Sequence, residues 1–209
     1  MNRPVYQLRP QRPSSIPNVI FALLVANGLV FALQQLNPNF MFLNFALWPA
    51  GPAQSPFAPW QLVTYGFLHG SLMHIFFNMF GLWMFGRELE LLMGSRRFLI
   101  YFMTCVVGAG LVQLVVAGAH GSIYPTVGAS GGVFGILLAY GLTFPNRMVM
   151  LVFPPIPMKA KYFVLFYGLL ELYLGVSGRA PGVANFAHLG GMFFGYALLR
   201  YWSVPRRRR

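Results

Sequence analysis

The sequence predicts an all-α membrane protein with six transmembrane helices. Of its 209 residues, 57% are hydrophobic and 9% are charged, and the mean hydropathy is +0.61. Because soluble domains carry about 45–50% apolar and about 25% charged residues, this composition excludes an ordinary soluble domain. It also excludes a disordered chain, which needs low hydrophobicity and high charge. All 16 prolines lie outside six apolar segments. A proline inside a membrane-spanning segment would remove a backbone hydrogen bond that hydrocarbon cannot replace.

The six apolar segments leave short polar sequences at both termini. A span takes roughly 20 residues, and each segment is predicted as one transmembrane helix. The first segment is not followed by a clear signal-peptide cleavage site, and further apolar segments come after it, so a transmembrane helix is the better interpretation. Residues 1–17 are predicted as a disordered cytoplasmic tail, residues 18–202 as the membrane domain, and residues 203–209 as a basic cytoplasmic tail. The predicted helices cover residues 18–36, 61–85, 98–118, 128–144, 162–176 and 185–201.

The basic residues predict the orientation of the chain. Fourteen of the 15 lysines and arginines lie in the N-terminal tail, in the second and fourth connections, or between Arg200 and the C-terminus, and only Arg179 lies on the other side. Since cytoplasmic loops carry the excess of positive charge, both termini are expected in the cytoplasm. The net charge of +12 sits at helix ends, where it attracts anionic lipids of the bilayer, and this pattern excludes a nucleic-acid partner. A short chain without a transit peptide indicates a bacterial inner membrane.

A serine and a histidine occur near the starts of two predicted helices. Ser130 lies in the first turn of the fourth helix, and His188 lies a few residues into the sixth. Both helices enter the membrane from the extracytoplasmic side, so a rise of 1.5 Å per residue puts both side chains at a similar shallow depth. A serine beside an imidazole is the minimum needed for an activated nucleophile, and the pair is predicted to be catalytic.

Small residues at four-residue spacing predict close contact between these two helices. Gly131 and Gly135 follow the serine on the fourth helix, and Gly191 and Gly195 follow the histidine on the sixth. Such spacing lets helix backbones approach closely in membranes. Tight packing without chemistry is the alternative, but the serine and histidine at the top of both rows favour an active site.

The second apolar segment offers polar groups for the same site. His74 and Asn78 are four residues apart and share one helix face, and His69 precedes them. Together with the backbone N–H of Ser130, they are predicted to stabilise the oxyanion of a tetrahedral intermediate. A zinc site built from His69, His74 and His188 is the alternative. No carboxylate accompanies these histidines and His69 is off the face of His74, so no metal or cofactor is predicted.

The absence of aspartate restricts how the histidine can be oriented. Phe134 lies one turn below Ser130, and its ring is predicted to stack on His188, giving a catalytic dyad.

Glu171 is one of three glutamates and lies within the fifth segment. Either it faces the catalytic cavity or a polar partner, or it is a protonated or snorkelling residue packed against another helix.

Three ordered motifs resemble those of the rhomboid family of intramembrane serine proteases, in its six-span bacterial form. The motifs are His69-x4-His74-x3-Asn78, Gly128-x-Ser130-Gly131, and Ala187-His188 followed by Gly191-x3-Gly195. The resemblance covers residues 18–202 and implies a rhomboid-like helical bundle.

The resemblance also implies a mechanism and a substrate class. Ser130 would attack the scissile carbonyl, and His188 would act as general base and then as general acid. His74 and Asn78 would bind the oxyanion, with His69 in support. The substrates would be single-pass membrane proteins cleaved in or near their transmembrane segment. The resemblance also makes Glu90 a structural hydrogen-bonding residue.

Two other function classes remain as alternatives. A rhomboid-like protein that binds membrane clients without cutting them would have no need to keep both Ser130 and His188. A small transporter would be expected to show a repeat between its halves, which this sequence lacks. The sequence indicates no oligomeric state.

Overall fold

The chain folds into a helical bundle with one small hairpin. The computed structural model describes residues 17–50, 56–121, 123–150, 155–179 and 184–203, and the two predicted tails lie outside these residues apart from one residue each. The predicted all-α class is confirmed, although two short antiparallel strands add a hairpin in the fourth connection. The elements are α1 (Asn18–Leu36), α2 (Pro38–Phe45), α3 (Gln61–Thr64), a 3-10 helix (Tyr65–Phe67), α4 (Leu72–Met93), α5 (Ser95–His120), α6 (Ser130–Thr143), β1 (Met148–Met150), β2 (Pro157–Lys159), α7 (Ala160–Ser177) and α8 (Asn185–Ser203).

The prediction of one continuous helix over residues 61–85 is wrong. The chain forms the short helix α3 and one 3-10 turn, and then leaves helical geometry at Leu68, whose ψ is 153°. Helix α4 begins only at Leu72, where the Ser71 hydroxyl accepts a hydrogen bond from the His74 N–H at 3.1 Å. Apolar composition alone does not reveal this break, whereas the serine cap provides a local reason for the new start.

The connection between α1 and α3 is held against the bundle by the Gln61 side chain. Gln61 is fully buried; its Oε1 accepts from the Trp48 N–H, and its Nε2 donates to the carbonyls of Asn44 and Pro56. A further backbone bridge joins Leu47 to Thr126, in the segment before α6. The Gln61 contacts therefore hold this connection in place, and the bridge at Leu47 attaches the segment before α6 to it.

The centre of the bundle is formed by α8 packed against α5 and α6. Two tyrosine hydroxyls donate hydrogen bonds to backbone carbonyl oxygens inside the bundle. Tyr65 donates to the Val106 carbonyl at 2.6 Å, and Tyr101 donates to the Gly135 carbonyl at 2.7 Å. Helix α4 packs on the other side of α6, and α7 packs against α6 and α8. As a result, the N-terminal ends of α4, α6 and α8 surround one region.

The surface of the bundle is apolar where a bilayer would contact it. Within the described residues, α1, α5 and α7 are each long and apolar enough to cross a membrane, and α6 is apolar but has only 14 residues. Large hydrophobic side chains are exposed on these and neighbouring helices, among them Leu29, Leu33, Phe76, Leu165, Leu169 and Val176. Such extensive apolar exposure is expected of an integral membrane protein and not of a soluble one.

Glu90 ties α1 to the end of α4. Its carboxylate is 2% exposed and accepts hydrogen bonds from the backbone N–H groups of Val19 at 3.0 Å and Ile20 at 2.8 Å, and from the Ser95 hydroxyl at 2.6 Å. The first N–H groups of a helix lack partners within it, so the carboxylate caps α1 from another helix. The structural role predicted for Glu90 is confirmed by these bonds.

Glu90→Gln should lower the free energy of unfolding by about 1–3 kcal/mol, because an amide presents only one acceptor atom and leaves a buried N–H unpaired. Thermal unfolding of the detergent-solubilised protein measures the change. Glu88→Gln is the matched control, since Glu88 pairs with Arg147 at an exposed position. A stability equal to that of the wild type for Glu90→Gln would contradict the capping role.

Candidate active site

Ser130 and His188 are in direct contact. The His188 Nε2 lies 2.8 Å from the Ser130 Oγ, which is hydrogen-bond distance. Ser130 is the first residue of α6, and His188 lies in the first turn of α8. The structure therefore brings together the two residues that the sequence predicted as nucleophile and base.

The plane of the His188 ring is set by Phe134. The two rings are stacked with centroids 4.4 Å apart and an interplanar angle of 5°. Phe134 lies one helical turn after Ser130, so one face of α6 carries both the hydroxyl and the ring that packs on its partner. The stacking limits rotation of the imidazole without supplying a hydrogen bond.

Glycines allow α6 and α8 to approach closely at this site. A Cβ on Gly191 would overlap the carbonyl oxygen of Gly131, so these two residues form the contact between the helices. Gly135 lies between the Gly191 carbonyl and Cys105 of α5. Gly195 was predicted at the contact with α6, but the atoms nearest to its added Cβ belong to Tyr101 and Cys105 of α5.

His74 borders the same space as the serine. Gly128 has a φ of +126°, and a Cβ there would lie 2.7 Å from His74 Nε2 and 3.6 Å from Ser130 Oγ. Residues that carry a side chain rarely adopt this backbone conformation. Glycine is therefore favoured at position 128 both by its conformation and by the lack of space for a Cβ. Glycine at position 128 therefore lets the backbone pass directly beside the His74 imidazole and close to the Ser130 hydroxyl.

The remaining predicted oxyanion residues differ in position. Asn78 is 5% exposed, lines the cavity described below, and donates from Nδ2 to the His74 carbonyl at 3.0 Å. His69 is fully buried, its ring packs edge-on against His74 with centroids 5.0 Å apart, and it does not line the cavity. His74 and Asn78 thus face the site, whereas His69 supports His74 from behind.

A cavity of about 820 Å³ opens beside the serine and histidine. Its walls come from α4, α6 and α7 and from the segment that precedes α6, and most of the lining side chains are hydrophobic. Ligand pockets typically measure about 300–1,000 Å³ and combine an apolar lining with a few polar groups. The polar side chains of the lining include His74, Asn78, Ser130 and His188, and also Gln113 and Thr126.

The sequence did not predict a contact between Glu171 and His188. The Glu171 Oε2 lies 2.9 Å from the His188 Nδ1, and it accepts a hydrogen bond from Asn185 Nδ2 at 2.6 Å. Both members of the pair have side chains that are 12% exposed or less. One available signal was the spacing of Asn185 and His188, which are three residues apart and share a face of α8.

The arrangement has the parts of an acyl-transfer site. The hydroxyl contacts an imidazole, and the N-terminus of α6, which no side chain caps, directs backbone N–H groups and positive potential towards the serine. Within the described part of the chain, no group of three histidine, cysteine or acidic side chains is placed to hold a metal ion. The described residues thus bring a hydroxyl, an imidazole and hydrogen-bond donors together at one place.

The fold and the site define a helical membrane protein with a serine–histidine pair beside an apolar cavity. The model of the Rhomboid domain matches residues 56–204, which is more than half of the chain. The chain belongs to the rhomboid family.

Curated relatives share this family. The chain is 30% identical to Rhomboid protein 1, mitochondrial, of Saccharomyces cerevisiae over 195 residues, covering 90% of this chain and 54% of the relative. It is 27% identical to Rhomboid protease GlpG of Photorhabdus laumondii over 185 residues, covering 87% and 60%. The same protein of Yersinia pestis is 27% identical over 184 residues, covering 86% and 60%. The chain therefore spans little more than half the length of these relatives.

Proposed function

We propose that this protein is an intramembrane serine endopeptidase that cleaves single-pass membrane proteins in or near their transmembrane segment. The observation that carries the proposal is the 2.8 Å contact between Ser130 Oγ and His188 Nε2, at the edge of an apolar cavity. The two relatives named as rhomboid proteases support the same activity.

The reaction begins with attack of Ser130 on the scissile carbonyl carbon. As the Oγ–C bond forms, the hydroxyl proton moves to His188 Nε2, and the carbonyl oxygen becomes an oxyanion. His74, Asn78 and the Ser130 N–H stabilise that oxyanion by hydrogen bonding, and His69 packs behind His74. The four glycines at the helix contacts and the ring of Phe134 maintain the geometry of the pair.

The reaction ends with release of two products. His188 returns its proton to the leaving amine as the C–N bond breaks, which leaves an acyl-enzyme on Ser130. A water molecule then attacks the ester, His188 accepts the proton of that water, and Ser130 regains its hydrogen as the carboxylate product leaves. The enzyme is unchanged after each cycle, and no cofactor takes part.

The proposed location follows from the distribution of charge and the position of the site. Residues 18–202 form the membrane domain in a bacterial inner membrane, with both termini in the cytoplasm. The N-terminal ends of α6 and α8 then face the outer side, so the site opens there. A shallow site reached from the outer leaflet suits a transmembrane substrate whose segment unwinds near its outer end.

A fluorophosphonate probe tests the nucleophile directly. Wild-type protein in detergent should be labelled covalently at Ser130, and Ser130→Ala should lose labelling at least about 100-fold, because it removes the hydroxyl that contacts the His188 imidazole. Mass spectrometry locates the adduct, and Ser203→Ala is the control: Ser203 is an exposed serine at the C-terminal end of α8, and its variant should be labelled like the wild type. Absence of labelling in folded wild-type protein would favour a client-binding protein without protease activity.

A further inference from the structure

A buried carboxylate contacts the side of the catalytic imidazole that faces away from the serine. We propose that Glu171 is a positioning residue for His188, so that the nucleophile is activated by a serine–histidine–glutamate triad and not by a dyad. The inference rests on the proposed protease function and assigns a role to a residue outside the serine–histidine pair. Glu171 would act through His188 and would not touch the substrate.

The geometry connects the three residues in sequence. Ser130 Oγ lies 2.8 Å from Nε2 of the ring, and Glu171 Oε2 lies 2.9 Å from Nδ1 on its opposite side. The Nδ1 atom is buried and has no other hydrogen-bond partner among the described residues. The carboxylate is at ion-pair distance but lacks the alignment of a full hydrogen bond, as is common for catalytic contacts before substrate binds.

The chemistry requires a proton on Nδ1. For Nε2 to accept the serine proton, the neutral imidazole must carry its own proton on Nδ1. An acceptor 2.9 Å from Nδ1 favours that tautomer, whereas Phe134 fixes only the plane of the ring. A carboxylate on this side therefore supplies what the stacked ring cannot.

The carboxylate also compensates the charge that develops during the reaction. When the Ser130 proton moves to Nε2, the imidazole becomes a cation in a site of low polarity. Glu171 remains a carboxylate throughout, and no second proton is transferred to it. Its negative charge stabilises the cation at short range, where the surrounding apolar groups screen it weakly.

The surroundings of Glu171 also explain how a charge is tolerated within the helix bundle. Ionisable residues within membrane helices are costly and are usually paired. Here Asn185 Nδ2 donates to the same carboxylate oxygen at 2.6 Å. Because Asn185 and His188 both lie on α8, that helix presents two groups to the single carboxylate on α7. A purely structural bridge between the helices would need only Asn185.

Steady-state cleavage of a single-span membrane protein by the 209-residue chain in detergent separates a positioning role of Glu171 from a purely structural one. Glu171→Gln preserves the shape of the side chain and removes its charge. We expect kcat and the rate of fluorophosphonate labelling to fall by at least about 10-fold. KM should stay within about 2-fold of the wild-type value, because the missing interaction acts in the transition state. Glu88→Gln is the matched control, because it removes an exposed carboxylate distant from the site, and it should leave both rates unchanged.

Two further variants test the alternatives. Asn185→Ala removes the bridge between α7 and α8 and leaves the carboxylate beside His188, so kcat should stay within about 3-fold of the wild type even if the melting temperature falls. An equal loss of kcat in Asn185→Ala and Glu171→Gln would overturn the positioning role. If Glu171→Gln fails to fold, Glu171→Asp decides. Its shorter side chain withdraws the carboxylate from Nδ1, and a kcat equal to that of the wild type would overturn the proposal.

The wild-type measurement keeps the two proposals separate. If the wild type is labelled at Ser130 and Glu171→Gln is labelled at the same rate, only the role of Glu171 is overturned. If the folded wild type is not labelled, the protease function and the role of Glu171 are both overturned.

Discussion

Gly191→Ala should separate α6 from α8 and destroy both the stability of the bundle and the activity of the site. The added Cβ would overlap the Gly131 carbonyl oxygen and lie 2.7 Å from its carbonyl carbon. Both obstructing atoms belong to the backbone, so no side-chain rotation relieves the clash. We expect a loss of at least about 3 kcal/mol, at the upper end for overpacking, which lowers the melting temperature by about 6–12 °C.

The same substitution should reduce activity by at least about 100-fold, since a displacement of 1 Å at reacting groups has that effect. Thermal unfolding and cleavage of a membrane-protein substrate measure the two losses. Gly28→Ala is the matched control, because Gly28 is also helical and nothing lies within 4 Å of its added Cβ. Normal stability and activity in Gly191→Ala would contradict the close contact between the two helices.

His188→Ala should reduce kcat by at least about 1,000-fold, within the range that general acid–base catalysis contributes. The substitution removes the group that takes the serine proton and later protonates the leaving amine. Its side chain borders the cavity, so truncation should leave the melting temperature within about 5 °C of the wild-type value, equivalent to a change of no more than about 2 kcal/mol.

His120 provides the matched control for this substitution. It is an exposed histidine in the last turn of α5, away from the cavity. His120→Ala should cleave substrate at the wild-type rate. If folded His188→Ala keeps more than a tenth of the wild-type kcat, His188 is not the general base.

Helix positions could be predicted from the sequence where hydrophobicity changes sharply. The predicted first helix has the bounds of α1, and the predicted sixth helix ends two residues before α8 does. The predicted second helix failed because residues 65–71 lie between apolar stretches, and an average over the whole segment hides a break this short. The break there depends on a 3-10 turn and on the Ser71 cap, which are local features that average hydropathy does not report.

The site could be predicted only where residue type and helix-end position were sufficient. Ser130 and His188 stand near the starts of helices that enter from the same side, so their depth followed from the rise per residue. The contact of Glu171 with His188 depends on the rotation of α7 about its axis, which its sequence does not fix. The same limit applies to Gly195, whose four-residue spacing is compatible with facing either α5 or α6.

The most direct test of the protease function is cleavage of single-span membrane proteins by the 209-residue chain reconstituted in liposomes, with the cut positions located by mass spectrometry. The wild type should cleave at least one member of a panel within or beside its transmembrane segment, and Ser130→Ala should cleave none. Cleavage by Ser130→Ala at the wild-type rate would contradict the proposed mechanism. A folded wild type that neither cleaves any member nor reacts with the fluorophosphonate would contradict the protease function itself.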